Sequence, residues 1–117
     1  MNFDDAIQAH AGWKIKLAVY LKHPDGTINS VETGTDNRCP LGQWLHSEAK
    51  KKYSSLPEYQ TLITEHARFH RIAGKIAGQA DSGQVVHSEA ALGNDSEFAK
   101  ASLSVIKAIR TLKAKVE

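Results

Sequence analysis

His66-Ala67-Arg68-Phe69-His70 sets two imidazoles four residues apart. On a helix this spacing puts both rings on one face, close enough to reach a single metal ion. On a solvated face the same pair would be two polar side chains and nothing more. Leu62, Phe69 and Ala73 share the stripe, so the rings are expected to point inward, where unpaired imidazoles cost free energy. Cys39 is the one cysteine of the chain and its soft donor. Standing just before Pro40, it falls at or near the N-cap of a helix, where unsatisfied N–H groups favour the thiolate that zinc binds. Its other reading is a small buried apolar residue. His10 is the fourth candidate, on the apolar face of the first predicted helix and one turn before Trp13 and Lys14, where a lone histidine is usually structural.

Together His10, Cys39, His66 and His70 form a set of three histidines and one cysteine. That is enough for a closed tetrahedron with ligand distances of about 2.0–2.3 Å, which suits zinc better than calcium or magnesium. A closed set leaves no position for a reacting water, so it points to a structural or sensory site and away from a hydrolase. His23, His46 and His87 fall in turns or polar contexts and are expected to be solvated.

Four main helices, one of them short, are needed to position these donors. From Asp4 to Leu21 the positions Ile7, His10, Ala11, Lys14 (by its stem), Leu17, Ala18 and Leu21 recur at three- and four-residue steps, the period of an amphipathic helix. His23-Pro24-Asp25-Gly26 ends it, because proline disfavours helix at the residue before it and Asp-Gly is turn chemistry. The polar stretch through Asn37 reads as a loop or a short extended piece. Pro40 opens a second, short helix whose apolar face is Leu41, Trp44, Leu45 and Ala49. Leu56-Pro57-Glu58 opens a longer one, running to about Ala80, with an inner stripe of Leu62, Ile63, His66, Phe69, His70, Ala73, Ile76 and Ala77. Asp81-Ser82-Gly83 breaks the chain, and Val85 to Leu92 reads as a short helical turn closed by Gly93-Asn94. Ser96 or Asp95 caps a last helix with Phe98, Ala101, Val105, Ile109, Leu112 and Val116 inward. With no strand signal and no internal repeat, the expected fold is all-α: an antiparallel four-helix bundle with an additional short helix, forming one domain over residues 1–117.

A chain of 117 residues, 41% hydrophobic and 24% charged, can bury one core without disulfide staples and is neither a disordered nor a membrane composition. Fifteen basic against thirteen acidic residues leave a net charge of +2, too balanced for a nucleic-acid surface. The N-terminus lacks a secretory pattern and no apolar run would span a bilayer, so a cytoplasmic protein without membrane contact is expected. No nucleophile–base pair, phosphate loop or open metal site can be read, so no enzyme is expected.

Three motifs in order, His10-Ala-Gly-Trp13, Cys39-Pro-Leu41-Gly42-Gln-Trp44 and His66-Ala-Arg-Phe-His70, resemble the chemoreceptor zinc-binding domain. The pattern of that family is His-x-x-aromatic, Cys-x-Leu-Gly-x-Trp and His-x-x-x-His, and the resemblance is expected to take in nearly the whole chain. It implies that His10, Cys39, His66 and His70 are the ligands of one zinc ion per chain. It also implies that Gly42 allows close packing near the metal, while Trp13 and Trp44 wall the site from water or serve as plain core.

The resemblance further implies a bacterial sensor acting on a chemoreceptor or a diguanylate cyclase. Its stimulus would be hypochlorous acid or the zinc level, and its assembly a homodimer. Oxidation of the thiolate would loosen its bond to zinc and let the short helix rearrange. Within these 117 residues no coiled-coil signalling region or cyclase domain is read, so the expectation is either a stand-alone domain docking on a partner or a piece of a larger receptor. Two alternatives stay open: a purely structural zinc module, and a hemerythrin-like di-iron binder. The second needs more histidines and inward bridging carboxylates, whereas Glu65 falls beside the ligand face. Asp36, three residues before Cys39, is either an orienting partner for a ligand histidine or a solvated loop acid.

Overall fold

Proline and serine decide where the helices begin. Pro40 and Pro57 each occupy the first turn of a helix, where a missing N–H costs nothing, and Ser96 caps a third by accepting from the N–H of Ala99 at 3.1 Å. The structure, a computed structural model, describes residues 3–22, 33–35, 39–83 and 86–117. Among these every regular element is helical: α1 (Phe3–Ala11), α2 (Trp13–Lys22), α3 (Pro40–Leu45), α4 (Glu48–Tyr53), α5 (Pro57–Asp81), α6 (Ser88–Leu92) and α7 (Glu97–Val116). The readings placed on His23 to Glu32, on Asp36 to Arg38 and on Val85 fall outside the described residues.

The first predicted helix is two segments, α1 and α2, separated by a turn at Gly12. Its buried stripe also differs from the expected one. Phe3, Ala6, His10, Leu17 and Tyr20 are buried and Trp13 half-buried, while Ala11 and Lys14, expected inward, are exposed. The true stripe alternates steps of three and four from Phe3 to Tyr20, a seven-residue period that shares His10 and Leu17 with the expected stripe, while Ile7, Ala18 and Leu21 lie beside it, half-buried. Gly12 N–H still bonds Gln8 O at 3.2 Å and Lys16 N–H bonds Gly12 O at 3.1 Å. Helix-type hydrogen bonding thus reaches both into and out of a residue that favours helix by about 1 kcal/mol less than alanine.

The second predicted helix is likewise divided. Ala49 is buried as expected but belongs to α4, because the chain turns at His46 and Ser47. The longest helix, α5, runs through Asp81, and its predicted inner stripe is buried except for a half-buried Ile63. Gly83, with φ of 87°, stands just past its end, where a left-handed backbone favours glycine.

Side-chain contacts fix the directions of the long helices. Phe69 packs on Phe98 with ring centroids 5.0 Å apart, while Thr61 and Thr111 line one cleft, so α5 and α7 run oppositely. His10 lies on Phe69, and Tyr20 Oη donates to Asp81 at 2.5 Å, so α1–α2 runs the same way as α5. The short α3 and α4 pack against α1 through Phe3, whose ring meets Trp44 and Tyr53. A single buried cluster extends from Phe3 to Leu112, with Leu62, Phe69, Phe98, Val105 and Ile109 among its members.

The cap of α7 is open to a direct test. Replacing Ser96 with Ala removes the acceptor for an orphan N–H and is expected to lower unfolding free energy by about 1 kcal/mol, with Ser96→Asp largely neutral. Urea denaturation would measure both, and equal losses in the two variants would contradict the capping role.

Candidate metal centre

Two elements bring the donors together. Along α5 the four-residue spacing stacks His66 and His70 one turn apart, both inward and almost fully buried. Cys39 is the N-cap of α3, with an extended backbone at φ −81° and ψ 160°, and its sulfur accepts from the N–H of Gly42 at 3.2 Å. That accounts for one duty of Gly42: its backbone amide serves the thiol side of the site. The far end of α3 is tied as well, because Tyr59 Oη donates to the carbonyl of Leu45 at 2.6 Å. The short helix that carries Cys39 is therefore held at both ends.

Cys39, His66 and His70 form a buried cluster whose ligand atoms all lie within 4.8 Å of one another. Cys39 Sγ is 3.3 Å from His66 Nε2 and 3.4 Å from His70 Nε2, and the two Nε2 atoms are 3.0 Å apart. The edges of a zinc tetrahedron built at ordinary bond lengths are about 3.6 Å for sulfur to nitrogen and about 3.3 Å for nitrogen to nitrogen. The triangle matches that face to within about 0.3 Å, so the three residues fit the metal in distance as well as in donor type.

His70 is oriented by a group with no sequence signal. Its Nδ1 lies 2.9 Å from the carbonyl oxygen of Thr33, a buried residue. A carbonyl only accepts, so Nδ1 carries the proton and Nε2 turns its lone pair toward Cys39 and His66. Asp36, read as a possible orienting partner, is outside the described residues.

His10 stands beside this triangle without being part of it. Its ring lies 5.7 Å from that of His66, 6.3 Å from that of His70 and 4.1 Å from Phe69. It is 1% exposed, and neither of its ring nitrogens has a hydrogen-bond partner among the described residues. His66 Nδ1 is equally unpartnered among them. Orphaned buried imidazole nitrogens beside a thiol and two converging Nε2 atoms are an expensive arrangement for a core that binds nothing.

Trp13 closes one side, edge-on to His70 at 5.5 Å and to Phe69 at 6.4 Å. Trp44 instead makes its ring contact with Phe3. Burial, and then the charge of His70, pushes the His10 pKa down from 6.5 to about 3. Burial, followed by His70, His10 and His46, lowers that of His66 to about 2. Both imidazoles are thus kept neutral, the form that coordinates metal.

The sequence profile of the chemoreceptor zinc-binding domain matches residues 10–77, more than half of the chain. The chain belongs to the chemoreceptor zinc-binding domain family. The matched stretch begins at His10 and takes in Cys39, His66 and His70, but it stops short of α6 and α7, so it is narrower than the resemblance of nearly the whole chain expected from the motifs. No curated protein and no solved structure matches the chain. A zinc-binding sensory module is what this family membership implies, and the Cys39-His66-His70 cluster gives the domain a place able to hold the metal.

Among the histidines expected to be solvated, His46 and His87 are exposed, and His23 is outside the described residues. Glu65, the carboxylate that a di-iron site would need inward, pairs with Arg68 at 3.2 Å on the partly exposed flank of α5.

Burial of the neutral imidazoles makes metal-free stability depend on pH, with a definite sign. The folded-state pKa values of His10 and His66 lie below 6.5, so the unfolded chain binds more protons as pH falls. Their contribution is fully present above pH 6.5 and is lost on acidification toward about 3. Urea midpoints of metal-stripped protein are expected to fall between about pH 7.5 and about pH 5, with a shallower fall in His10→Phe. A pH-independent midpoint would contradict the burial of neutral rings.

Proposed function

We propose that this protein is a redox- or zinc-responsive regulatory domain whose zinc site is made by one cysteine and three histidines: His10, Cys39, His66 and His70. The observation that carries the reading is the convergence of Cys39 Sγ with the Nε2 atoms of His66 and His70, inside the stretch that matches the family. When bound, zinc supplies a closed, redox-inert centre that holds Cys39 as thiolate. His66 and His70 orient their Nε2 atoms, the Thr33 carbonyl fixes the tautomer of His70, and Trp13 with Phe69 limits water. Cys39 is the reactive member: its thiolate takes up the oxygen of hypochlorous acid, giving cysteine sulfenic acid and releasing chloride. A sulfenic acid is a poorer ligand than a thiolate, so α3 loses its tie to α5 at that end and rearranges.

The arrangement proposed around this site is an antiparallel four-helix bundle. In it α1–α2, the short α3–α4 pair, α5 and α7 take the four places, and α6 is the additional short helix, all within one domain. Output would pass to a chemoreceptor or diguanylate cyclase in the bacterial cytoplasm. Ile15, Val19 and Leu103 are exposed apolar side chains of the kind a homodimer partner covers. No helix among the described residues is long and apolar enough to cross a membrane. The proposed role is regulatory, not enzymatic.

A purely structural zinc site is the second reading, supported by the near-complete burial of Cys39. Metal content separates the possibilities. Protein purified under reducing conditions without added metal is expected to carry about one zinc per chain, reduced or lost in Cys39→Ala and His66→Ala. Near-stoichiometric hypochlorous acid should then release the zinc. Retention through a large excess of oxidant favours the structural reading, and about two irons per chain would replace both with a di-iron site.

A further inference from the structure

Two apolar faces run along α7. The inner one, Phe98, Ala101, Val105, Ala108, Ile109 and Leu112, is buried in the core. On the opposite side Ala99, Leu103, Ile106 and Arg110 follow one another at steps of four, three and four residues, the repeat by which one helix seats against another. Ala99 and Ile106 are half-buried and Leu103 is 66% exposed. Leu103, Ile106, Lys107, Arg110, Thr111 and Ala114 line a shallow groove of about 570 Å³ on this side. All six belong to α7, so no other described element covers the groove.

Charge on this helix is one-sided. Between Glu97 and Glu117 stand five cations, Lys100, Lys107, Arg110, Lys113 and Lys115, and no acidic residue, although the whole chain is nearly balanced at +2. Lys113 pairs with Asp4 of α1. The other four are exposed and have no ion-pair partner among the described residues. Lys100 and Lys107, seven residues apart, lie along one edge of the seam of Leu103 and Ile106, and Arg110 stands within it.

These features select the occupant. A membrane surface asks for a broad apolar face, whereas this side offers Leu103 and Ile106 as its large apolar side chains, the remainder being committed to the core. A second copy of the same face would set its cations against their own counterparts, a juxtaposition that opposes pairing. Ile15 and Val19, the other exposed apolar pair, stand on α2 and are open to a second copy instead. We infer that the outer face of α7 docks an acidic amphipathic helix of another protein. Its apolar side chains would seat about Leu103 and Ile106, and its carboxylates would meet Lys100, Lys107 and Arg110. This surface lies on a helix that packs on α5, the element carrying His66 and His70. It also lies outside the stretch that matches the family, and the inference does not depend on zinc being bound.

The probe is a fluorescein-labelled synthetic helix of about three seven-residue repeats, with a seam of leucine and isoleucine flanked by glutamates. Its controls are the same composition in scrambled order and a version with lysine in place of glutamate. Anisotropy titrations with the full chain are expected to show saturable binding of the acidic helix alone, weakening as salt is raised. Leu103→Asn, and Lys107→Glu with Arg110→Glu, are each expected to weaken it by about tenfold. The lysine version should gain binding to the charge-reversed variant, whereas Ile15→Asn and Val19→Asn should leave the acidic helix bound as before. All five positions are exposed, so melting temperatures should stay close to that of the parent.

No binding of the acidic helix, equal binding of the scrambled one, or no loss in Leu103→Asn would overturn the docking surface. Dissociation of a homodimer by Leu103→Asn, read by light scattering, would also overturn it and give the face to a second copy. Co-sedimentation with phosphatidylcholine–phosphatidylserine vesicles that is lost in the same variants would give it to a membrane. Each of these results leaves the zinc-site reading standing.

Discussion

Burying imidazole nitrogens that have no hydrogen-bond partner among the described residues, both of those of His10 and Nδ1 of His66, is the constraint around which this domain is organised. His10, His66 and His70 are each at most 1% exposed, and Cys39 sits among them. A core of this size could have been filled with leucine at far less cost in desolvation. The convergence of Cys39 Sγ with the Nε2 atoms of His66 and His70, with His10 beside them, makes sense when a cation replaces the missing partners. The same burial keeps the rings of His10 and His66 neutral and excludes competing water, so the feature that weakens the bare core prepares the site.

The rest of the fold serves that volume. A long α5 provides two of the converging donors from adjacent turns, and α7 backs it through Phe98, Val105 and Ile109. By contrast the cysteine comes from a six-residue helix held by a sulfur bond at one end and a tyrosine hydroxyl at the other. Few contacts need to change for such an element to rearrange, while α5 and α7 would have to lose a shared core. The division suits the proposal above, in which Cys39 is the member that reacts and α5 is the scaffold.

The setting of the histidines also separates this centre from other metal bundles. A di-iron site needs carboxylates that bridge inside the bundle. Here Glu65 turns to Arg68 on the flank, and the cluster holds one sulfur and two nitrogens. Soft donors in a water-poor volume favour zinc over hard, oxygen-seeking ions.

The helices are largely legible in the sequence because their causes are local: proline in a first turn at Pro40 and Pro57, a serine cap at Ser96, and a three-to-four step along α5 and α7. The candidate site is legible for related reasons. Two histidines at helical spacing on an apolar stripe, and a cysteine before a helix-opening proline, declare both their type and their direction. The interruption at Gly12 is not legible in this way. The stripe of α1–α2 is expected correctly at His10 and Leu17 and one position out elsewhere, because apolar residues such as Ile7, Ala11 and Leu21 fit two neighbouring faces and only packing against α5 and α7 selects one. The Thr33 carbonyl is beyond reach for a deeper reason: every residue has one, and which carbonyl meets His70 depends on where the chain passes in space. The separation of His10 from the other donors has the same origin. Sequence determines which side chains can bind and, along α5 and α7, which way the helix faces. The distances between helices, and hence which donors meet, belong to the tertiary structure because they are set by the summed packing of side chains far apart along the chain.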